Sequence, residues 1–440
     1  MRRHLSLFAA CALFAAPLSA DSLSMSVKTD YDRYLAPLFE HFHRNPELST
    51  VENETAARMA LELSDAGFDV TENVGGTGLV AMLENGDGPL IMMRADMDGL
   101  PVKEASGLEY ASVKQQVSPI TGETVYTMHA CGHDVHITAL VGTARQMVQR
   151  QDEWSGTLML VVQPAEETGA GAKAMRADDI WTRFGTPDAA LAFHVSANDE
   201  AGVINVSEGS PYAGADSVDI IVHGVGGHGA SPHQAIDPIV LGAQIVLGLQ
   251  TLVSRELPPR DAGVVTVGSF HAGTKHNIIS DRAHLQLTVR NTKPETRELL
   301  LGGIERIAKN LGRAAGLPED RLPEVIVSED SVPPTQNTPA LAQRLKGAWA
   351  NTLGTERVVD IPSKGMGAED FPFFTVDPSV DTVYWRVGGT PKAAFIAAEN
   401  GGPPVPGHHS PFFKIEPETS VRAGIESTVV ALLELMPPAP

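Results

Sequence analysis

The chain has 440 residues, 42% of them hydrophobic, with 33 Lys and Arg against 54 Asp and Glu. That length predicts two or three domains, with ample apolar content for packed cores. The formal charge, 33 − 54 = −21, argues against nucleic acid or an anionic membrane as partner, because both need a basic face.

The first elements are a basic start, Arg2 and Arg3, an apolar run from Leu5 to Ala16, and the small-residue segment Leu18-Ser19-Ala20. Residues 1–20 therefore read as a secretion signal, which predicts an exported protein, periplasmic or secreted. The run is short for a membrane anchor, and lipidation of Cys11 is a weaker reading still. No later segment reads as transmembrane. Loss of the signal leaves Cys131 as the sole cysteine, so the mature chain forms no internal disulfide. A lone thiol in an oxidising compartment is a liability unless it is buried or bound to metal.

Helices are expected over 28–45 and 53–66, the second capped by Asn53 and ended by Gly67. Strands follow at 77–83 and 90–94, a helix at 135–150, and strands at 158–162, 189–193 and 203–206. This alternation predicts an α/β sheet buried on both faces, with polar residues just beyond the strand ends where such sheets place their sites. The rhythm changes near Tyr212. A strand at 216–223, a helix at 237–257, strands at 263–270 and 282–290, a helix at 294–315 and a strand at 324–327 give the order β-α-β-β-α-β. That order predicts a ferredoxin-like four-stranded sheet with two helices on one face. Residues 211–330 are read as this insertion, and 21–210 with 331–440 as the main domain. The main pattern resumes with a helix at 339–353, a strand at 382–387 and a helix at 418–435.

The densest cluster of candidate ligands is His129-Ala130-Cys131-Gly132-His133-Asp134-Val135-His136. Thiolate and imidazole suit zinc and similar ions, and residues two apart in an extended turn point the same way. Adjacent Glu166 and Glu167 follow a buried strand; such a pair can divide metal binding from proton transfer. His194 ends another strand, and His408-His409-Ser410-Pro411 lies near the C-terminus. Taken singly, either histidine reads as structural. Together they complete the donor count of a two-metal site. Asp96 and Asp98 also follow a strand, with a polar turn as the equal alternative. The segment Gly224 to His233 lacks the spacing of a phosphate loop and reads as a flexible loop presenting His228.

These motifs, in this order, resemble a metal-dependent amidohydrolase/carboxypeptidase family. It includes hippurate hydrolase, N-acyl-amino-acid amidohydrolases and the plant auxin-conjugate hydrolases, within the aminoacylase and glutamate carboxypeptidase superfamily. The resemblance runs from His43-Arg44-Asn45-Pro46-Glu47 to Phe412 and takes in His276-Asn277 and Gly367 to Phe371. It implies a zinc-peptidase-like catalytic domain with a mixed sheet flanked by helices, plus an inserted domain that dimerises. It implies two divalent ions (zinc, manganese, cobalt or nickel) held by Cys131, His133, Glu167, His194 and His409. Glu166 matches the catalytic base; His228 and Asn277 match substrate-contacting positions, and the histidine can serve a partner subunit. His408 leaves a one-residue ambiguity that the His-Ser-Pro match resolves towards His409. Gly99 and the segment after Asn277 depart from the common pattern without touching the metal set. The implied reaction is hydrolysis of the amide bond of an N-acyl amino acid or small peptide-like substrate. Alternatives are an exported aminopeptidase or dipeptidase of the same fold, or a binding protein without catalysis.

Overall fold

The computed structural model describes residues 20–362, 365–375 and 379–439. The signal assigned to residues 1–20 lies outside them apart from Ala20. The first helix is longer and less regular than expected. Ala20–Asp30 leads into a π-helical turn, Tyr31–Leu35, and then into Ala36–Arg44. Pro37, at the start of the last segment, lacks an N–H and crowds the carbonyl one turn back, and the wider turn accommodates it. Asn53 does not cap the next helix, Asn53–Asp65. Glu52 holds the cap position, without a capping side chain. Its carboxylate is drawn away to Thr50 N, Thr77 Oγ1 and Ala165 N, and Asn53 turns back to the Val51 carbonyl. Gly67 does end this helix, at φ +101°.

The large sheet has eight strands. Their order is Asp69–Glu72, Leu79–Asn85, Gly156–Gln163, Leu90–Asp96, Ala189–Glu200, Asp381–Thr390, Ile204–Asn205 and Val358–Val359. Leu90–Asp96 runs parallel to both neighbours, as does Ala189–Glu200, whereas Leu79–Asn85 runs antiparallel, so the sheet is mixed. Alternate residues serve opposite faces. Ile91, Met93, Leu158, Leu160, Leu191 and Phe193 pack in the cluster built with the long helices, including His133–Gln149 and Pro417–Leu435. Met92, Met159, Val161, Ala190, Ala192 and Tyr384 pack the other way, against short helices over 171–184 and the turn Phe371–Thr375. Burial on both faces makes these strands almost continuously apolar.

A second, four-stranded sheet is antiparallel throughout, in the order Gly263–Ala272, Arg282–Asn291, Gly214–His223, Glu324–Val327. Val218, Ile220, Val222, Leu285, Leu287 and Val289 form a separate core with helices Pro238–Thr251 and Pro294–Ala314. Side chains in between, such as Ser217 and Arg290, occupy the face without helices. The helical stretch Pro238–Glu256 is long and apolar enough to suit a membrane span. Here its inner side, with Leu241, Ile245 and Leu249, packs in the core of this sheet.

Candidate metal centre

The sheet delivers its polar residues at strand ends. Leu90–Asp96 ends at Asp96, and Gly156–Gln163 runs into Pro164-Ala165-Glu166-Glu167. Two backbone features aim the donors. Gly132 sits at φ +87°, and a Cβ there would meet Val195 Cγ1 at 2.4 Å, so no other residue fits between Cys131 and His133. Ala165 is left-handed, at φ +50°, and its N–H is held by buried Glu52 at 2.8 Å. That turn folds Glu166 and Glu167 inward.

The sequence-predicted donors converge. Cys131 Sγ lies 3.4 Å from His194 Nε2. His133 Nε2 lies 3.8 Å from Glu166 and 3.9 Å from Glu167. His409 Nε2 lies 3.3 Å from Glu167 Oε2. His133 Nδ1 donates to the Asp98 carbonyl at 2.8 Å, and His194 Nδ1 to the Val195 carbonyl at 2.6 Å. These contacts fix both rings with Nε2 towards the cluster, the orientation a metal-binding imidazole needs. His408 also comes close, its Nδ1 3.7 Å from Cys131 Sγ, while its Nε2 accepts from Ala197 N. His136 is occupied at both nitrogens, by Asp96 and by Val195 N.

The donor set fits metal. Cys131 with His133 and His194, and Cys131 with Glu167 and His409, each bring their ligand atoms within 4.8 Å, so the two groups share the thiol. Among the described residues, buried His133 Nε2 and Glu167 Oε1 have no hydrogen-bond partner. Sulfur, imidazole and carboxylate are the ligands zinc and its neighbours prefer. Electrostatics agree. Burial and nearby carboxylates push the Cys131 thiol up, burial pushes Glu167 up to about 8, and burial holds His194 low. Such a group becomes a charged ligand set only beside a cation.

Two buried networks brace the cluster, and the sequence did not reveal either. Arg94 pairs with Asp96 at 2.6 Å and Glu369 at 2.7 Å, and Tyr384 donates to Glu369 at 2.7 Å. Burial, with Glu369 and Glu167 nearby, raises the Glu166 carboxyl well above its ordinary range. His43 bridges Asp134 at 2.6 Å and Glu104 at 3.1 Å. The pairings Arg94 with Glu369 and His43 with Asp134 join residues far apart in the chain.

The cluster opens into a cavity of about 700 Å³ that reaches the open face of the second sheet. Arg290 lines it from that side. Its Nε donates to Thr288 Oγ1, and it forms no ion pair among the described residues. His228 and Asn277 are elsewhere. Gly227–His228 pairs with Ile278–Ile279 in a small exposed ribbon, and Gly229 N donates to the Asn277 carbonyl at 2.9 Å. Neither residue lines the cavity.

Known proteins are similar to this chain in sequence and fold. Residues 92–401 match the sequence profile of Peptidase family M20/M25/M40. The chain belongs to that family. It is 33% identical over 400 residues to the Arabidopsis thaliana IAA-amino acid hydrolase ILR1-like 5, covering 90% of this chain and 85% of that one. It is 35% identical over 334 residues to the hippurate hydrolase of Campylobacter jejuni, covering 76% and 82%. The Bacillus subtilis YXEP protein, described as a dinuclear metal binding peptidase of family M20, superposes with a TM-score of 0.74 at 27% identity. That match covers 93% of this chain and 99% of that one. This M20 protein is accordingly a metal-dependent hydrolase of amide or peptide bonds, and the alternative of a binding protein without catalysis is not favoured.

Proposed function

We propose that the protein hydrolyses N-acyl amino acids or small peptide-like substrates carrying a free carboxylate. The observation that carries this reading is the cavity itself: a thiol, imidazole and carboxylate cluster on one wall and an unpaired guanidinium, Arg290, on another. A carboxylate suits Arg290, whose planar fork binds it bidentately. The relatives named for hippurate and IAA-amino acid conjugates support the same class.

Cys131, His133, Glu167, His194 and His409 would hold two divalent ions. Bound there, the ions supply Lewis acidity towards the scissile carbonyl and a water molecule. Glu166 does the proton work. Its carboxylate takes a proton from the attacking water and returns it to the departing amine, a role favoured by burial that raises its proton affinity. Asp98 steadies the arrangement, accepting from Glu167 N at 3.1 Å and from Ser49 Oγ at 2.6 Å.

The working unit in this proposal is a homodimer formed through the second sheet. Pro238–Glu256 is one-third buried, with Val240 55% and Leu247 72% exposed, and among the described residues no strand pairs with the outer edge of Gly263–Ala272. An apolar face beside a free edge favours symmetric association. His228 would then reach the partner's cavity and help stabilise the tetrahedral oxyanion, with Asn277 beside it. Export through residues 1–20 completes the proposal, and burial of the single thiol in a metal site is compatible with it.

The test is a panel of N-acyl amino acids and of dipeptides with free amines, assayed on purified protein with zinc, manganese, cobalt or nickel. Hydrolysis of the N-acyl compounds, weakened at least tenfold by Arg290→Gln, is expected. Turnover confined to substrates with a free amine and no free carboxylate would favour an aminopeptidase instead.

A further inference from the structure

After Val327 pairs with Val218, the chain leaves the edge of Gly214–His223 and rejoins it only where Val332 pairs with Ala215. Four residues, 328–331, therefore stand where the neighbouring strand spends two, 216–217. The excess folds into a turn. Ser328 N donates to the Ser217 carbonyl at 2.8 Å, Ser331 Oγ to the Ser328 carbonyl at 2.8 Å, and Asp330 N to Ser328 Oγ at 3.2 Å. Lys173 braces the turn, donating to the Glu329 carbonyl at 2.8 Å. Such a bulge re-aims a side chain. The one it presents is Asp330, exposed and set on the wall of the cavity that opens from the metal cluster.

Arg290 lines the same cavity from the other side of that strand. It stands in register with Ala215, and Ala215 in turn with Val332, so Arg290 and the Asp330 turn flank Gly214–His223. Two strand spacings put their backbones about 10 Å apart. Neither charged group has an ion-pair partner among the described residues. Arg290 Nε donates to Thr288 Oγ1, and the Asp330 carboxylate accepts from Ser328 Oγ at 3.5 Å. Uncharged Ala215, Ser217 and Val332 line the wall between them. The other carboxylates of the cavity, Glu166, Glu167, Glu369 and Asp370, gather at the cluster.

We propose that Asp330 selects a leaving amino acid with a cationic side chain, such as lysine or ornithine, whose carboxylate Arg290 holds. The proposal rests on the reading of the site as an N-acyl-amino-acid hydrolase and names the amino-acid half of its substrate. Arg290 and Asp330 both border the second sheet, so both address the part of the substrate on that side of the scissile bond. In an extended ornithine or lysine the carboxylate and the terminal ammonium lie about 6–8 Å apart, given bonds near 1.5 Å. That span suits two opposite charges on either side of one strand. A glutamate side chain would bring like charge to Asp330. An apolar one would displace water from the carboxylate and give it no partner.

Asp330 belongs to neither core, so its substitution leaves the fold standing. The measurement is kcat/KM for lysine, norleucine and glutamate carrying the same acyl group, acetyl in one series and benzoyl in another. The wild type is expected to favour lysine over norleucine about fivefold, the upper range for a solvent-exposed ion pair, and to take glutamate least. Asp330→Asn should erase the preference for lysine over norleucine. Asp330→Lys should reverse the order and place glutamate above lysine. Arg290→Gln should lower kcat/KM for all three. A wild type without preference for lysine, or a preference that survives in Asp330→Asn, overturns the proposal, while hydrolysis of these compounds still upholds the parent reading. A wild type that cleaves none of them, yet cleaves peptides with free amines, overturns both.

Discussion

Two histidine-bearing turns, each flanked by glycine, meet opposite fates in this molecule. The turn through His129 to His136 is buried, and Cys131, His133 Nδ1, Asp134 and His136 meet groups from distant parts of the same chain. The turn through Gly224 to His233 is mostly exposed; the His228 backbone pairs with Ile278, and its ring accepts from Ala230 N of its own loop. The first is placed by a sheet buried on both faces, the second by a sheet with one open face and a free edge. A motif at the end of a doubly covered sheet is complete when the chain folds. A motif on a half-covered sheet is left for something else to complete.

The comparison breaks most visibly at Glu166. Glu166→Gln is expected to lower turnover at least about 10²–10⁴-fold, the loss typical of a general base. Bound metal, read by elemental analysis, should stay at the wild-type level because Glu166 is not among the proposed ligands. Near-normal turnover would sink the assignment.

A smaller effect separates the two turns. His228→Ala should reduce turnover and leave metal content alone. When this variant is mixed with Glu166→Gln and the subunits exchange, one site in each mixed dimer regains both intact residues. Activity should then reappear from two weak or inactive preparations. A fully active monomer, or undiminished turnover in His228→Ala, removes the second turn from the chemistry.

The smallest effect sharpens how the buried turn is held. Burial opposes a charge on His43, but Asp134 and Glu104 outweigh it and lift the ring to about 9. The folded-state value is thus raised above the ordinary value near 6.5. The stabilisation is fully present below about pH 6.5 and is lost as pH rises through about 9. It amounts to at most about 3 kcal/mol. Denaturant unfolding should show the gap between wild type and His43→Gln narrowing over that range. A constant gap would mean that His43 acts through shape alone.

Much of this was legible in the sequence, for physical reasons visible in particular segments. Pro339–Leu353 and Glu324–Val327 fall on the expected bounds, since a proline opens the helix and charged and turn residues bracket the strand. Of the proposed donors, Cys131 and His133 sit where the helix His133–Gln149 opens and Glu167 follows Gly156–Gln163, so residue type and position pointed to them; His194 lies within Ala189–Glu200, which runs on past the end expected at residue 193. Local disruptions were not legible. The π turn at Tyr31–Leu35 depends on how one proline is absorbed, and the helix Lys392–Glu399 buries nothing that would give it an apolar stripe. Long-range charge pairing was hidden as well. Arg94 and Glu369 are 275 residues apart, and Arg290 gains its meaning only from the cavity it overlooks. Asn53 misled because the cap was judged by its own residue type, without the distant demands on Glu52.

The donor set also has an order in time. Cys131, His133, Glu167 and His194 all leave the ribosome before the second sheet is made. His409 comes after it. The strand Asp381–Thr390, wedged between Ala189–Glu200 and Ile204–Asn205, arrives equally late. A nascent chain therefore holds most of a metal site beside an unfilled slot in its central sheet for much of its synthesis. Contacts of such long sequence separation form slowly and leave apolar strand edges open in the meantime. Chains truncated before Asp381 would consequently be recognised as unfinished by their exposed sheet, whatever metal they had already gathered.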